Sequence, residues 1–240
     1  MTGTYRFGRR VVLGLAAGVA ALLGGFALLA DEVLEGDTLG FDTAVLAATR
    51  TPGNPADPLG PVWLEEAARD LTALGSFTVL GFIIIIVTCD LLLRRKLRIA
   101  AFLVTAVISG TILSTGLKSV FDRARPDLPA VARVFTASFP SGHAALSAVV
   151  YLTLGVLLAE AASRWRFRLL YIGVAIGLTL AVGISRVYLG VHYPTDVLAG
   201  WLLGTSWALL CWVVAELLDA RSDRRGAASD QAIPRSSSGD

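Results

Sequence analysis

Residues 99–118 read IAAFLVTAVISGTILSTGLK, nineteen residues without a charge that close on a lysine. A mostly apolar run of about 20 residues has the length of a membrane-crossing helix. In lipid the backbone must satisfy its own hydrogen bonds, which an α-helix does within one segment. The closing Lys118 then stands at the membrane border, where a charge costs far less than at the bilayer centre. The stretch therefore predicts a membrane helix with a polar group held at one end.

Working outward, five further blocks share this character, at about 11–30, 72–93, 144–162, 169–184 and 197–218. The block at 169–184 falls short of the usual ~17–25 residues and is expected to extend into its flanks. The first block follows Arg6, Arg9 and Arg10 but is longer than the ~7–15-residue core of a signal peptide, and it lacks a small-residue cleavage site, so it is read as a span. The chain is 55% hydrophobic and 17% charged, against about 25% charged in soluble domains. The expected fold class is all-α: a polytopic membrane protein with six transmembrane helices in one bundle over residues 1–220. An outer segment at about 31–70 contains a stretch, 41–51, able to form a short helix before a run of prolines; it either caps the outer face or is a plain connection. The Ser-, Asp-, Arg- and Gly-rich tail 221–240 is expected to be disordered.

Charge fixes the expected orientation. With a cytoplasmic amino terminus and six crossings, fourteen of the 21 Lys and Arg residues fall on the inside. The positive-inside rule favours that topology, with both termini cytoplasmic in a bacterial-type inner (plasma) membrane. A net charge of +2 gives no basic field for nucleic acid. Cys89 and Cys211 sit in apolar blocks without metal-ligand spacing, and no metal or cofactor is expected. Gly173/Gly177 and Gly200/Gly204 are small-residue pairs that permit close helix contact; they leave the oligomeric state open. Trp165 reads as an interfacial anchor, and Trp201, Trp207 and Trp212 as packing residues.

Three polar islands interrupt the apolar chain: Lys118 to Pro126, Pro140-Ser141-Gly142-His143, and Ser185 to Asp196. In the six-span layout all three fall on the extracytoplasmic face. Ser141 is a favoured helix N-cap, and free N–H groups at a helix start bind anions. Gly142 permits close approach of a phosphate, and His143 stands where it can protonate a leaving oxygen. Asp196, in the first turn after Pro194, can reach one ring nitrogen of His192. Such a carboxylate fixes the tautomer and raises the basicity of the other nitrogen, which suits His192 to nucleophilic attack. Lys118, Arg125 and Arg186 can clamp phosphate oxygens. Arg123 and Arg133 fall outside this pattern and are read as outer-surface charge.

Lys118-x6-Arg125-Pro126, Pro140-Ser141-Gly142-His143 and Ser185-Arg186-x5-His192-x3-Asp196 together resemble the three-part signature of the type 2 phosphatidic acid phosphatase superfamily, in order and spacing. Residues 70–76 also resemble a segment common in bacterial members. The resemblance implies a metal-independent membrane phosphatase. His192 would be the nucleophile that forms a phosphohistidine, Asp196 its orienter and His143 the general acid. Lys118, Arg125, Ser141, Gly142 and Arg186 would bind the phosphate. It implies a lipid phosphate as the partner in the bilayer, of undecaprenyl diphosphate, phosphatidylglycerol phosphate or phosphatidic acid type, and an outward-facing site leans toward the first. Alternative readings are a phosphotransferase with the same site, a vanadium haloperoxidase-like enzyme, and a non-enzymatic lipid-binding membrane protein.

Overall fold

The computed structural model describes residues 9–128 and 136–232. Among these residues nine α-helices carry the fold: α1 (Arg9–Glu35), α2 (Leu39–Ala48), α3 (Val62–Ala73), α4 (Phe77–Leu93), α5 (Leu97–Phe121), α6 (Gly142–Ser147), α7 (Thr153–Ala161), α8 (Trp165–Tyr188) and α9 (Pro194–Ala232). A π-helical turn, Ala148–Leu152, joins α6 to α7, and an antiparallel hairpin of β1 (Arg50–Thr51) and β2 (Asn54–Pro58) lies between α2 and α3. Among the described residues five helical segments are long and apolar enough to cross a membrane, and α3 with α4, bent by 48°, meets the same length and composition as a pair.

The expected blocks differ from the helices where local chemistry intervenes. The short block at 169–184 does extend into its flanks, as α8 of 24 residues. The block at 72–93 is broken at Leu74–Ser76. Ser76 takes an extended conformation and its Oγ accepts from Val79 N at 3.2 Å, which starts α4 as a fresh helix. Tyr151, on the π-helical turn, donates its hydroxyl to Leu74 O at 2.7 Å and holds the break. The block at 99–117 runs on to Phe121, so Lys118 lies in the last turn of α5. Asp122 ends that helix in the left-handed region at φ 41°.

The segment between α1 and α3 is built rather than loose. The short helix expected at 41–51 forms as Leu39–Ala48, and the hairpin and α3 follow it. The last helix runs on to Ala232, through the first part of the tail expected to be disordered. Its Ala and Arg residues are good helix formers, and extending an existing helix needs no new nucleus. Residues 233–240 and Arg133 lie outside the described residues.

Of the five long apolar segments, that from Gly142 to Ala161 is the most enclosed and the first is the least. Leu103, Val149, Val150 and Val182 are fully buried around that central segment, while Ile85, Ile86 and Ile112 face outward. Outward apolar side chains are the expected surface of a bundle in lipid. Glycine sets the closest helix contact. A Cβ at Gly200 would lie 2.6 Å from Ser141 O, and one at Gly204 would collide with Ala145 O, so α9 presses its backbone onto α6. Among the described residues Gly173 and Gly177 have nothing within 4 Å of such a Cβ. Trp201 lies over Gly183 and donates Nε1 to Thr179 O at 3.0 Å, a packing role between α8 and α9.

Candidate active site

One end of the bundle gathers the three polar islands. Lys118 occupies the last turn of α5 and Arg186 that of α8, while His143 stands in the first turn of α6 and Asp196 in that of α9. Their helices run in opposite senses, so C-terminal turns and N-terminal turns meet. His192 lies in the short link between α8 and α9. Gly190 makes that link possible. Its φ of +72° is left-handed, and the guanidinium of Arg50 packs directly against its Cα, where no side chain fits.

His192 is buried, and its ring is held from both sides. Nδ1 lies 3.3 Å from Asp196 Oδ2, and Nε2 lies 3.1 Å from Arg125 Nη1. Arginine can only donate, so Nε2 is the unprotonated nitrogen and Nδ1 carries the proton toward Asp196. Burial pushes the His192 pKa down to about 4, with Asp196 opposing the shift and Arg125 and Arg186 adding to it. The imidazole is therefore neutral at pH 7, with its lone pair directed away from the carboxylate.

Asp196 is wholly buried and saturated with donors. Besides the ring, Oδ2 accepts from Tyr193 N at 2.9 Å, and Oδ1 accepts from Arg123 Nη1 at 2.7 Å. Its own carbonyl accepts Ser141 N at 2.9 Å, which ties the start of α9 to the start of α6.

Around the two imidazoles stand three cations. Arg125 donates to Val191 O at 2.7 Å and to Thr136 O at 2.8 Å, and burial lowers its pKa from the ordinary guanidinium value while Asp196 opposes the change. Lys118 Nζ donates to Ala137 O at 2.8 Å, and its stem passes beside Gly142. Arg186 Nη1 donates to Thr72 Oγ1 at 3.1 Å, while its Nε is buried with no hydrogen-bond partner among the described residues. His143 packs its ring edge on Gly75, at the break between α3 and α4, and lies close enough to Arg186, His192, Lys118 and Arg125 to feel their charge.

Two residues depart from their expected surroundings. Ser141 occupies the N-cap position of α6 but makes no side-chain cap; its Oγ is buried and without a partner among the described residues. A buried hydroxyl left unpaired costs about 1–3 kcal/mol, and this one has its hydrogen-bonding capacity available to an incoming oxygen. Arg123, read as outer-surface charge, is half-buried and bridges Asp196 to Asp42 of α2, donating to Asp42 Oδ2 at 2.7 Å. Burial opposes its charge, but the bonds to Asp42 and Asp196 outweigh that and hold its pKa above the ordinary value. The motif spacing carries no signal for Arg123, and Asp42 and Thr72 lie in segments far from the motifs.

Chemically, the assembly offers a neutral imidazole with an outward lone pair, a second imidazole, and unpaired donors from a guanidinium and a hydroxyl, all beside a cluster of positive charge. That set suits a tetrahedral oxyanion passing from one oxygen to a nitrogen.

The model of the PAP2 superfamily matches residues 99–218. The chain is 34% identical over 145 residues to phosphatidylglycerophosphatase B of Bacillus subtilis, covering 59% of this chain and 70% of that one. It is 44% identical over 70 residues to an undecaprenyl-diphosphatase of Sulfolobus acidocaldarius, which is 29% of each chain. In structure it is similar to the transmembrane PAP2 type phosphatidylglycerolphosphate phosphatase from Bacillus subtilis, with a TM-score of 0.75 and 28% identity over 82% of this chain and 96% of that one.

Proposed function

This chain belongs to the PAP2 superfamily, and from that premise we propose that it is an integral membrane lipid phosphatase working through a phosphohistidine on His192. The observation that supports this most is the arrangement of His192 itself: neutral, with Nδ1 on Asp196 and Nε2 turned toward the cations.

In the first half-reaction Nε2 attacks phosphorus, an N–P bond forms and the bond from phosphorus to the leaving oxygen breaks. His143 gives its proton to that oxygen, releasing the lipid alcohol or the lipid monophosphate. Asp196 stabilises the positive charge that develops on the His192 ring. Lys118, Arg125 and Arg186, with Ser141 and the N–H groups opening at Gly142, hold the three equatorial oxygens. In the second half-reaction water attacks phosphorus, the N–P bond breaks and His143 takes the proton from the water. Inorganic phosphate leaves.

The substrate head group reaches the site from the membrane border while its chain remains among the apolar outer faces of the helices. The excess of Arg and Lys in the segments at the opposite end of the bundle supports an extracytoplasmic site and cytoplasmic termini. An outward site favours undecaprenyl diphosphate, while the longer likeness is to phosphatidylglycerophosphatase B. That likeness makes phosphatidylglycerol phosphate the first substrate to test and undecaprenyl diphosphate the second.

The decisive experiment is phosphate release by the purified protein in detergent from a panel of these two lipids and phosphatidic acid. His192→Ala runs beside it, and each enzyme is acid-quenched and base-quenched to look for an acid-labile phosphoenzyme. Turnover and label present in the wild type and absent in His192→Ala are expected. Wild-type turnover in His192→Ala overturns the nucleophile, and no phosphate release from any lipid overturns the function.

A further inference from the structure

The outer segment between α1 and α3 reaches toward the centre of the site through Asp42. Asp42, in the first turn of α2, is wholly buried although it is a carboxylate 153 residues from Thr195, the motif residue it touches. Its Oδ1 accepts from Thr195 N at 3.1 Å, and Oδ2 accepts from Thr195 Oγ1 at 2.6 Å and from Arg123 Nη2 at 2.7 Å. Arg123 turns its other terminal nitrogen to Asp196 Oδ1 at 2.7 Å and to Thr195 Oγ1 at 2.9 Å. The guanidinium face lies 4.4 Å from the centre of the Tyr193 ring, which closes the remaining side.

We propose that Asp42 and Arg123 are positioning residues of the reaction: together they fix the Asp196 carboxylate in the orientation that holds the His192 ring for attack, and so make the outer helix α2 part of the catalytic apparatus. This rests on His192 being the nucleophile.

Geometry and charge both lead there. A carboxylate can present its oxygens to a histidine in several orientations. Here Oδ1 is taken by a guanidinium that cannot rotate, because its other arm is anchored on a second buried carboxylate. Oδ2 is thereby left for Tyr193 N and His192 Nδ1. Arg125 and Arg186 also face His192, with His143 nearby, but these belong to the phosphate side of the ring. Arg123 instead faces Asp42, Asp196, Thr195, Thr38 and the ring of Tyr193. An Arg held between two carboxylates is spent locally, so it orients Asp196 without drawing the substrate's phosphate away from Arg125. Groups that orient a catalytic ligand in this way typically change activity by about 10–100-fold when removed.

The test compares Asp42→Asn, Arg123→Met and Arg123→Lys with the wild type and His192→Ala in detergent, on the lipid phosphate that the wild type hydrolyses best. Asp42→Asn and Arg123→Met are expected to lower kcat by about 10–100-fold while KM and inhibition by inorganic phosphate stay near the wild-type values. The rate of phosphoenzyme formation in a rapid quench is expected to fall in step with kcat. Arg123→Met leaves Asp196 without its counter-charge, so the acid limb of kcat/KM is expected to move to higher pH; Arg123→Lys keeps the charge and is expected to leave the limb in place. Inhibition by phosphate reports an intact cradle. Where Asp42→Asn or Arg123→Met lacks it, Arg123→Lys alone decides, by a lowered kcat at unchanged phosphate inhibition. Wild-type kcat in the folded variants, or a loss confined to KM, overturns the positioning role and leaves the nucleophile standing. Activity retained in His192→Ala overturns the reading beneath it.

Discussion

Arg125 covers the ring nitrogen of His192 that would make the bond to phosphorus: Nη1 lies 3.1 Å from Nε2, while the opposite nitrogen, Nδ1, lies 3.3 Å from Asp196. The guanidinium thus keeps the lone pair on Nε2 and competes for it. For attack to occur, Arg125 must exchange the imidazole for a phosphate oxygen. Substrate binding and unmasking of the nucleophile are then one event.

Arg125→Ala removes the cover and the clamp together. The bare Nε2 gains little without a held phosphate, so kcat/KM is expected to fall by about 10²–10³, the usual loss for one donor to a developing charge. Arg125→Lys is expected to recover only a small part, because an ammonium cannot span the Val191 carbonyl, the ring and a phosphate oxygen as a planar fork does. Steady-state kinetics in detergent checks both; a loss of less than about tenfold in Arg125→Ala removes it from the clamp.

The buried His192 sets the acid limit. Its pKa is about 4 in the folded protein against an ordinary 6.5, with burial the main cause. The proposed attacking form is neutral, so the acid limb of kcat/KM is expected near pH 4 rather than near 6.5, once the ionisations of the substrate and of the acid His143 have been divided out. Stability follows the same group. Between pH 6.5 and 4 the unfolded chain binds a proton that the folded chain refuses, so stability declines as pH falls across that window and is full above it. Melting temperatures at pH 7 and pH 5 are expected to differ more for the wild type than for His192→Asn. An acid limb at 6.5 contradicts the buried, neutral imidazole.

Much of this was legible in the chain, and what was not has physical causes. Lys118, Ser141, His143, Arg186, His192 and Asp196 meet because each lies within a turn of a helix end, and span length with charge asymmetry puts those ends on one side. The break at Leu74–Ser76 was hidden because hydropathy runs through it without interruption; only Gly75 and Ser76 hint at it. Arg123 was misread because a charge beside a motif looks the same whether water or a carboxylate receives it. Its partner Asp42 lies 81 residues away and is chosen by tertiary packing.

In the proposed mechanism Lys118, Arg125 and Arg186 supply the charge neutralisation that a divalent cation would otherwise give to the phosphate oxygens. Among the described residues no three His, Cys, Asp or Glu side chains stand together as a metal-binding group. Phosphate release is therefore expected to be unchanged after dialysis against EDTA. A loss that Mg²⁺ restores shows that the three cations do not suffice.

The last prediction separates two glycine pairs that look alike in sequence. At Gly200 a Cβ would lie 2.6 Å from Ser141 O and 2.8 Å from Ala144 Cβ, and at Gly204 it would lie 2.7 Å from Ala148 Cβ and collide with Ala145 O. Alanine at either position must push α9 off α6, an overpacking that typically costs about 1–3 kcal/mol. At Gly200 the displaced residue is Ser141, whose N–H bonds Asp196 O, so activity is expected to fall along with the melting temperature. Gly173→Ala and Gly177→Ala meet nothing within 4 Å. They replace a weak helix former with the best one, a gain of up to about 1 kcal/mol, and are expected to leave the melting temperature level or raised and activity intact. Thermal melts of the four variants in one detergent decide it. Equal destabilisation at both pairs would mean that Gly173 and Gly177 are covered by a second copy of the chain; no loss at Gly200 and Gly204 would mean that α9 does not press on α6 as described.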